Sequence, residues 1–189
     1  NKLITREKIS EGNPYFLFVG AIHPRKNLKR LLNAYVQLRT QDPNHPYHFV
    51  IVGEELWSKS SNDISIPKEI LPYIHFTGRL SLEELANVTG AANVLTFIPY
   101  FEGFGIPLVE AMKCGIPILS GSETSLPEVA ENAAIYCNPF DEKDICSKLI
   151  EISTNEELQS ELSKKGLERA KQFSWDTSSE KVWDVITNC

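Results

Sequence analysis

Residues 99–119, PYFEGFGIPLVEAMKCGIPIL, decide how the rest of the chain is read. The stretch joins a loop carrying Glu102, two glycines on either side of Phe104, Pro107 placed for the first turn of a helix, and a second carboxylate at Glu110. Gly103 and Gly105 allow backbone N–H groups to approach a ligand with no Cβ in the way. The helix that follows points its unpaired N–H groups and positive dipole end the same way. Such a place holds a phosphate. Two carboxylates beside an anion would repel it, so Glu102 and Glu110 are read as accepting hydrogen bonds from hydroxyls on the same ligand. Phosphates in the middle and hydroxyls at both ends describe a nucleotide sugar. Each feature also has a plainer explanation, since a glutamate in a first turn compensates the helix dipole and Gly-Phe-Gly makes a tight turn. Only their conjunction with the surrounding sequence favours a ligand.

Outward from this stretch, strands and helices alternate. The run 94–98 (VLTFI) is a strand feeding the motif, and 116–119 is another after Gly115 ends the helix 107–114. Tyr15–Val19 (YFLFV) and His48–Val52 (HFVIV) are continuous apolar runs that stop at Gly20 and Gly53, the pattern of strands buried on both faces. Between them, Leu28, Leu31, Leu32, Tyr35 and Leu38 recur at helical spacing. Residues 54–66 turn polar and Ser-rich and read as an exposed excursion, followed by a short helical piece at 67–71 and a strand at 74–77 closed by Gly78. Ser81 with Glu84 forms a capping box for a helix to about residue 92. Ser125 with Glu128 caps a short helix before a sixth strand at 134–136. Asp141, Thr154 and Thr177 are then the expected N-caps of the terminal helices. The order predicts an α/β fold: a Rossmann-like parallel sheet with helices on both faces, and ligands at the carboxyl ends of the strands. Residues 1–14 read as a lead-in linker and 15–189 as one nucleotide-sugar-binding domain with C-terminal helices.

Composition agrees with a single α/β core. The chain has 189 residues, with 42% hydrophobic and 23% charged content. A net charge of -6 argues against a nucleic-acid partner. The four cysteines form no CxxC pair and have no histidine at metal-ligand spacing, so they read as thiols in a reducing compartment, with no metal site. No apolar run approaches the ~20 residues of a spanning helix and no signal-peptide pattern opens the chain, so a cytoplasmic protein is expected.

Across the predicted cleft from the acidic loop lies HPRKNLKR, residues 23–30. Arg25 and Lys26 follow the first strand and precede the first helix, where they can reach a diphosphate. A solvated basic helix start is the bland alternative. Cations at the positive end of a helix are poorly placed without an anion, which favours a ligand.

The motifs together, a strand followed by G-x-I-x-P-R-K-N-L, then E-G-F-G-I-P-L-V-E-A-M-x-C-G-I-P-I, then L-P-E-V, resemble the C-terminal domain of glycosyltransferase family 4. The resemblance runs over nearly the whole chain. It implies the C-terminal half of a GT-B architecture and a retaining transfer of sugar from a nucleotide-diphosphate donor, with no metal or other cofactor. No Asp-x-Asp motif is present, in agreement. Residue by residue, it implies that Glu102 contacts the hydroxyls of the transferred sugar, that Glu110 binds the ribose and that Lys26 holds the diphosphate. It also implies that Gly103, Phe104, Gly105 and Ile106 offer backbone N–H groups, and that 77–80, including Gly78, Arg79 and Leu80, edge the nucleobase. Many members carry arginine directly after the glycine that ends the first strand; here Ala21 stands there, and Arg25 is expected to supply the charge. A glycan or lipid-linked acceptor, polysaccharide biosynthesis and peripheral association with the inner face of the membrane are further implications. The family's acceptor site and part of its catalytic machinery belong to an N-terminal domain, so this chain is expected to bind donor without turnover by itself.

Two other classes compete. A dinucleotide-binding dehydrogenase requires G-x-G-x-x-G after the first strand, and AIHPRK follows Gly20 instead. A non-catalytic nucleotide-binding or partner-docking module of the same fold stays open on these grounds.

Overall fold

The computed structural model describes residues 2–54 and 65–188, so most of the Ser-rich excursion at 54–66 lies outside the described residues. In chain order the helices are α1 (Lys2–Ser10), α2 (Leu28–Gln41), α3 (Leu82–Ala91), α4 (Ile106–Lys113), α5 (Leu126–Ala130), α6 (Glu142–Thr154), α7 (Glu156–Ala170) and α8 (Trp175–Thr187). The strands are β1 (Tyr15–Val19), β2 (His48–Val52), β3 (Ile74–Gly78), β4 (Val94–Phe97), β5 (Ile118–Gly121) and β6 (Ala134–Cys137). They form one sheet in the order β3-β2-β1-β4-β5-β6 with every pair parallel, the doubly wound arrangement expected from the alternation.

The pleat of β1 explains why its apolar run is unbroken. Phe16 and Phe18 join a core with Leu31 and Tyr35 of α2 and Ile145 and Leu149 of α6. Tyr15 and Leu17, which point the other way, join a core with Val88 of α3 and Leu108 and Met112 of α4. All four side chains are wholly buried, so both faces of the central strand are covered. The five helical-period residues from Leu28 to Leu38 are buried too, and α2 packs beside α6.

Several boundaries differ from expectation, each for a local reason. Residues 1–14 are not a plain linker: α1 packs on α3, Arg6 Nε donates to Ala91 O at 2.9 Å and Ile9 reaches the core. With Leu3 and Ile4 exposed, α1 carries no apolar stripe to announce it. After α4, Ile116 N–H bonds Ala111 O and Gly115 N–H bonds Met112 O, the paired closure of a Schellman motif. Residue 116 is thus spent on the helix end, and β5 begins at Ile118. Thr154 bonds back to Ile150 O inside α6, and Asn155 caps α7 by accepting from Leu158 N–H. Ser174 rather than Thr177 caps α8.

One feature of the β2–β3 edge had no sequence signal. His48 Nδ1 and His75 Nε2 lie 2.8 Å apart with their rings stacked, so one ring donates and the other accepts, and both cannot be charged. Burial first, then the neighbouring His75, lowers the His48 pKa from 6.5 to about 4. The fold holds this imidazole neutral, whereas the unfolded chain takes up a proton near pH 6.5. Stability is therefore complete above that pH and drains as pH falls towards 4, by at most about 3 kcal/mol. Urea midpoints at pH 7, 5.5 and 4.5 should fall in that order, and His48→Phe should flatten the decline.

Candidate functional site

The sheet order reverses between β1 and β4, and the segments leaving those two strands flank the crevice there. After β1 a single 3-10 turn, Pro24–Lys26, precedes α2, with His23 Nδ1 accepting from Arg25 N–H at its start. After β4 comes the loop holding Glu102. Tyr100 N–H bonds Arg25 O at 2.9 Å, so the two segments are tied by backbone as well as by side chains.

Lys26 and Glu102, 76 residues apart in sequence, meet at 2.5 Å between Nζ and Oε2. Arg25 reaches the same oxygen at 3.2 Å and also donates to Phe101 O at 2.7 Å. The side chains of Lys26 and Glu102 are 14% and 17% exposed, against 42% for Arg25. Partial burial pushes the Glu102 pKa up, but the Lys26 hydrogen bond and charge, with Arg25, outweigh it and hold the carboxyl below its usual range. Glu102 is therefore the anion that balances the basic turn in this structure. A phosphate that engages Lys26 competes with the Glu102 carboxylate for the same positive charge.

Gly105 occupies the N-cap of α4 at φ 96°, a left-handed conformation that a side chain would strain, and an added Cβ would also meet Leu126 Cδ2 at 2.9 Å. Gly103 is different: its φ is not left-handed and an added Cβ would meet nothing within 4 Å. The fold does not require glycine there. The N–H groups of Gly103, Phe104, Gly105 and Ile106 have no backbone acceptor among the described residues, as expected ahead of a helix. Phe104 and Ile106 are both exposed, Phe104 resting edge-on against Phe173. Gly103→Val is thus expected to leave the melting temperature unchanged while weakening binding of a phosphorylated ligand at least about tenfold by bulk alone. Calorimetry alongside thermal unfolding checks both halves.

Glu110 stands apart from the ion-paired group. It is exposed on α4, its carboxylate without a hydrogen bond or ion pair among the described residues, and partial desolvation of that carboxyl raises its pKa.

Beside the Lys26 stem, which passes within 4 Å of where a Cβ on Gly20 would sit, opens a cavity of about 320 Å³. Gly20, Ala21, Gly53, Arg79, Leu80 and Leu85 line it. Arg79 and Leu80, expected to edge a nucleobase, are among the residues that line this cavity. Gly78 instead ends β3, its carbonyl accepting from Gly53 N–H. A larger hollow of about 580 Å³ lies at the amino ends of the strands, among Arg6, Asn93, Pro117 and Ser163, and no expected site residue lines it.

Three residues of the site escaped the sequence reading. Asn27, 2% exposed and at φ 60°, donates from Nδ2 to Ile98 O at 3.0 Å and to Pro139 O at 2.8 Å, joining the basic turn to β4 and to the loop before α6. Its only signal was its place beside Lys26. Thr124 and Ser125 reach Glu102 from the turn after β5, where Ser125 had been read only as a helix cap.

The family described as Glycosyl transferases group 1 matches residues 1–169. O-antigen chain mannosyltransferase B of Escherichia coli is 31% identical over 169 residues, 89% of this chain and 44% of that protein. An uncharacterized glycosyltransferase of Methanocaldococcus jannaschii is 30% identical over 95% of this chain and 50% of its own length. The chain thus spans about half the length of these relatives. Among solved structures, Anabaena Alr3699/HepE in complex with UDP-glucose superposes with a TM-score of 0.86 at 16% identity, covering all of this chain and 52% of that one. The C-terminal domain of the group 1 protein LpcC from Francisella tularensis superposes with a TM-score of 0.73 at 20% identity, covering 91% of this chain and 92% of that one. With a family match over most of its length and the fold of a GT-B C-terminal domain, this chain belongs to the glycosyl transferases group 1 family.

Proposed function

We propose that this chain is the donor-binding half of a retaining glycosyltransferase of family 4 type, which moves a sugar from a nucleotide diphosphate to a glycan or lipid-linked acceptor held by another domain. The observation that carries the reading is the meeting of Lys26 and Glu102 across the β1/β4 crevice. The mannosyl transfer in the name of one relative and the UDP-glucose bound to one structural neighbour support it.

In this reading Lys26 and the unpaired N–H groups of 103–106 hold the diphosphate. Arg25 adds charge where Ala21 offers none. Glu110 accepts from the ribose hydroxyls and Glu102 from those of the transferred sugar. The cavity bounded by Arg79 and Leu80 takes the base. As the bond from the anomeric carbon to the diphosphate breaks, negative charge grows on the leaving oxygen. Lys26, Arg25 and the fixed amides stabilise that charge without reorganising and without a metal ion. Recognition by Glu110 requires its carboxylate, and its pKa is raised while that of Glu102 is lowered. Acidification should therefore weaken the ribose contact first.

Titration calorimetry with UDP, GDP, ADP and their sugars is the test. Glu110→Ala should weaken diphosphate and diphospho-sugar alike by about tenfold or more, whereas Glu102→Ala should mainly lower the preference for the sugar-bearing form. No heat with any nucleotide would favour a docking module, and rapid sugar transfer by this chain alone would refute the need for a second domain.

A further inference from the structure

We propose that Thr124 and Ser125 are positioning residues that hold Glu102 in place when its ion pair is given up to a donor. The inference rests on the reading above, in which Glu102 faces the transferred sugar.

Glu102 is held at its carboxylate and at its backbone. Its carboxylate is fixed by Lys26 and Arg25. Its backbone is fixed from the turn between β5 and α5: Glu102 N–H donates to Thr124 Oγ1 at 3.2 Å, and Ser125 Oγ donates to Glu102 O at 2.9 Å. Both peptide groups flanking the Glu102 Cα are thereby gripped by hydroxyls of adjacent residues. This matters because a diphosphate competes for the same cations as the carboxylate. When the cations turn towards phosphate, the hydroxyl pair still grips the backbone of Glu102 directly, beside the Tyr100 N–H bond to Arg25 O that ties its loop.

Both hydroxyls are diverted from ordinary roles. Ser125 precedes α5 as a helix cap would, yet its φ of -78° and ψ of -12° are helical and it makes no side-chain bond to α5. Thr124 sits at φ 59°, a left-handed conformation that a β-branched residue adopts only at a cost. Glycine would relieve that cost but carries no hydroxyl. A strained residue kept where it grips a functional glutamate points to a role beyond the turn itself.

Thr124→Gly separates positioning from structure, because it removes the hydroxyl while easing the backbone. In the 189-residue chain it should move the melting temperature by no more than about 4 °C, relief of strain offsetting the lost hydrogen bond and the added freedom of the unfolded chain. Exchange of the Glu102 amide should accelerate roughly five- to tenfold on loss of one hydrogen bond. Affinity for UDP or GDP should stay at the unmodified value, while the preference for UDP-glucose over UDP, or GDP-mannose over GDP, falls about fivefold. Thr124→Ser and Ser125→Thr, which keep the hydroxyls, should keep both readouts at the unmodified value, and Ser125→Ala should lower the same preference. Unchanged amide exchange and unchanged sugar preference in Thr124→Gly would overturn the proposal, as would a melting temperature lowered beyond that range with equal losses for both ligands. If the unmodified chain bound none of these nucleotides, the donor reading would fall and the purpose of the clamp with it, while amide exchange would still decide whether the clamp exists.

Discussion

Lys26→Ala should lower the affinity for a nucleoside diphosphate by a factor on the order of 10 to 100, the worth of a charge-assisted contact in a partly desolvated site. Three observations make Lys26 rather than Arg25 the larger loss. Its side chain is 14% exposed against 42%. Its ammonium lies 4.9 Å from the centre of the Phe97 ring, which fixes it over an apolar floor. Its stem borders Gly20 at the mouth of the cavity beside β1. Arg25→Ala should cost less in binding and show more in the loop, since Arg25 also anchors Phe101 O. Lys26→Ala further leaves Glu102 with Arg25 as its one ion-pair partner among the described residues, so the Glu102 pKa should rise from its lowered position. Calorimetry gives the first result and a carboxyl titration by NMR the second. Undiminished diphosphate binding in Lys26→Ala would contradict the assignment.

Asn27→Asp should cost about 4 kcal/mol of stability, although it changes the shape of the side chain little. The amide of Asn27 donates to two buried carbonyls, of Ile98 and Pro139, and a carboxylate in its place presents acceptor to acceptor at both. Aspartate tolerates the left-handed backbone at φ 60° about as well as asparagine, so the loss isolates the hydrogen bonds from conformational strain. Asn27→Gly keeps the conformation and removes the amide, and should fall between the two. Asn27 Oδ1, buried with no protein partner, adds nothing that Asp would restore. Urea denaturation measures each variant, and a midpoint within error of the unmodified chain would show that the two bonds carry no weight.

How much of this was legible beforehand differs between elements. Tyr15–Val19 and His48–Val52 are found within their expected bounds, because strands buried on both faces have nothing polar inside them to blur their ends. The capping box of Ser81 and Glu84 is fully formed, both reciprocal bonds being local to four residues. By contrast, the holds on α1 include the Arg6 bond to Ala91 O and the packing of Ile9, which no periodicity reveals. The site divides in the same way. Lys26, Arg25 and Glu102 were read from charge beside glycine and proline, and they meet. Thr124, Ser125 and Asn27 act through backbone groups far away in sequence, where any small polar residue looks like a turn or a cap. Their Glu102, Ile98 and Pro139 partners could be known only from the folded chain.

The sheet is two three-stranded halves joined where β1 runs beside β4, with Phe16 opposite Val94 and Leu17 opposite Leu95. Lys26 extends from one half, Glu102 and Glu110 from the other. A molecule gripped by all three spans the seam as a removable staple. Its binding free energy is then spent on keeping the two halves together, so resistance to unfolding rises with the logarithm of its concentration.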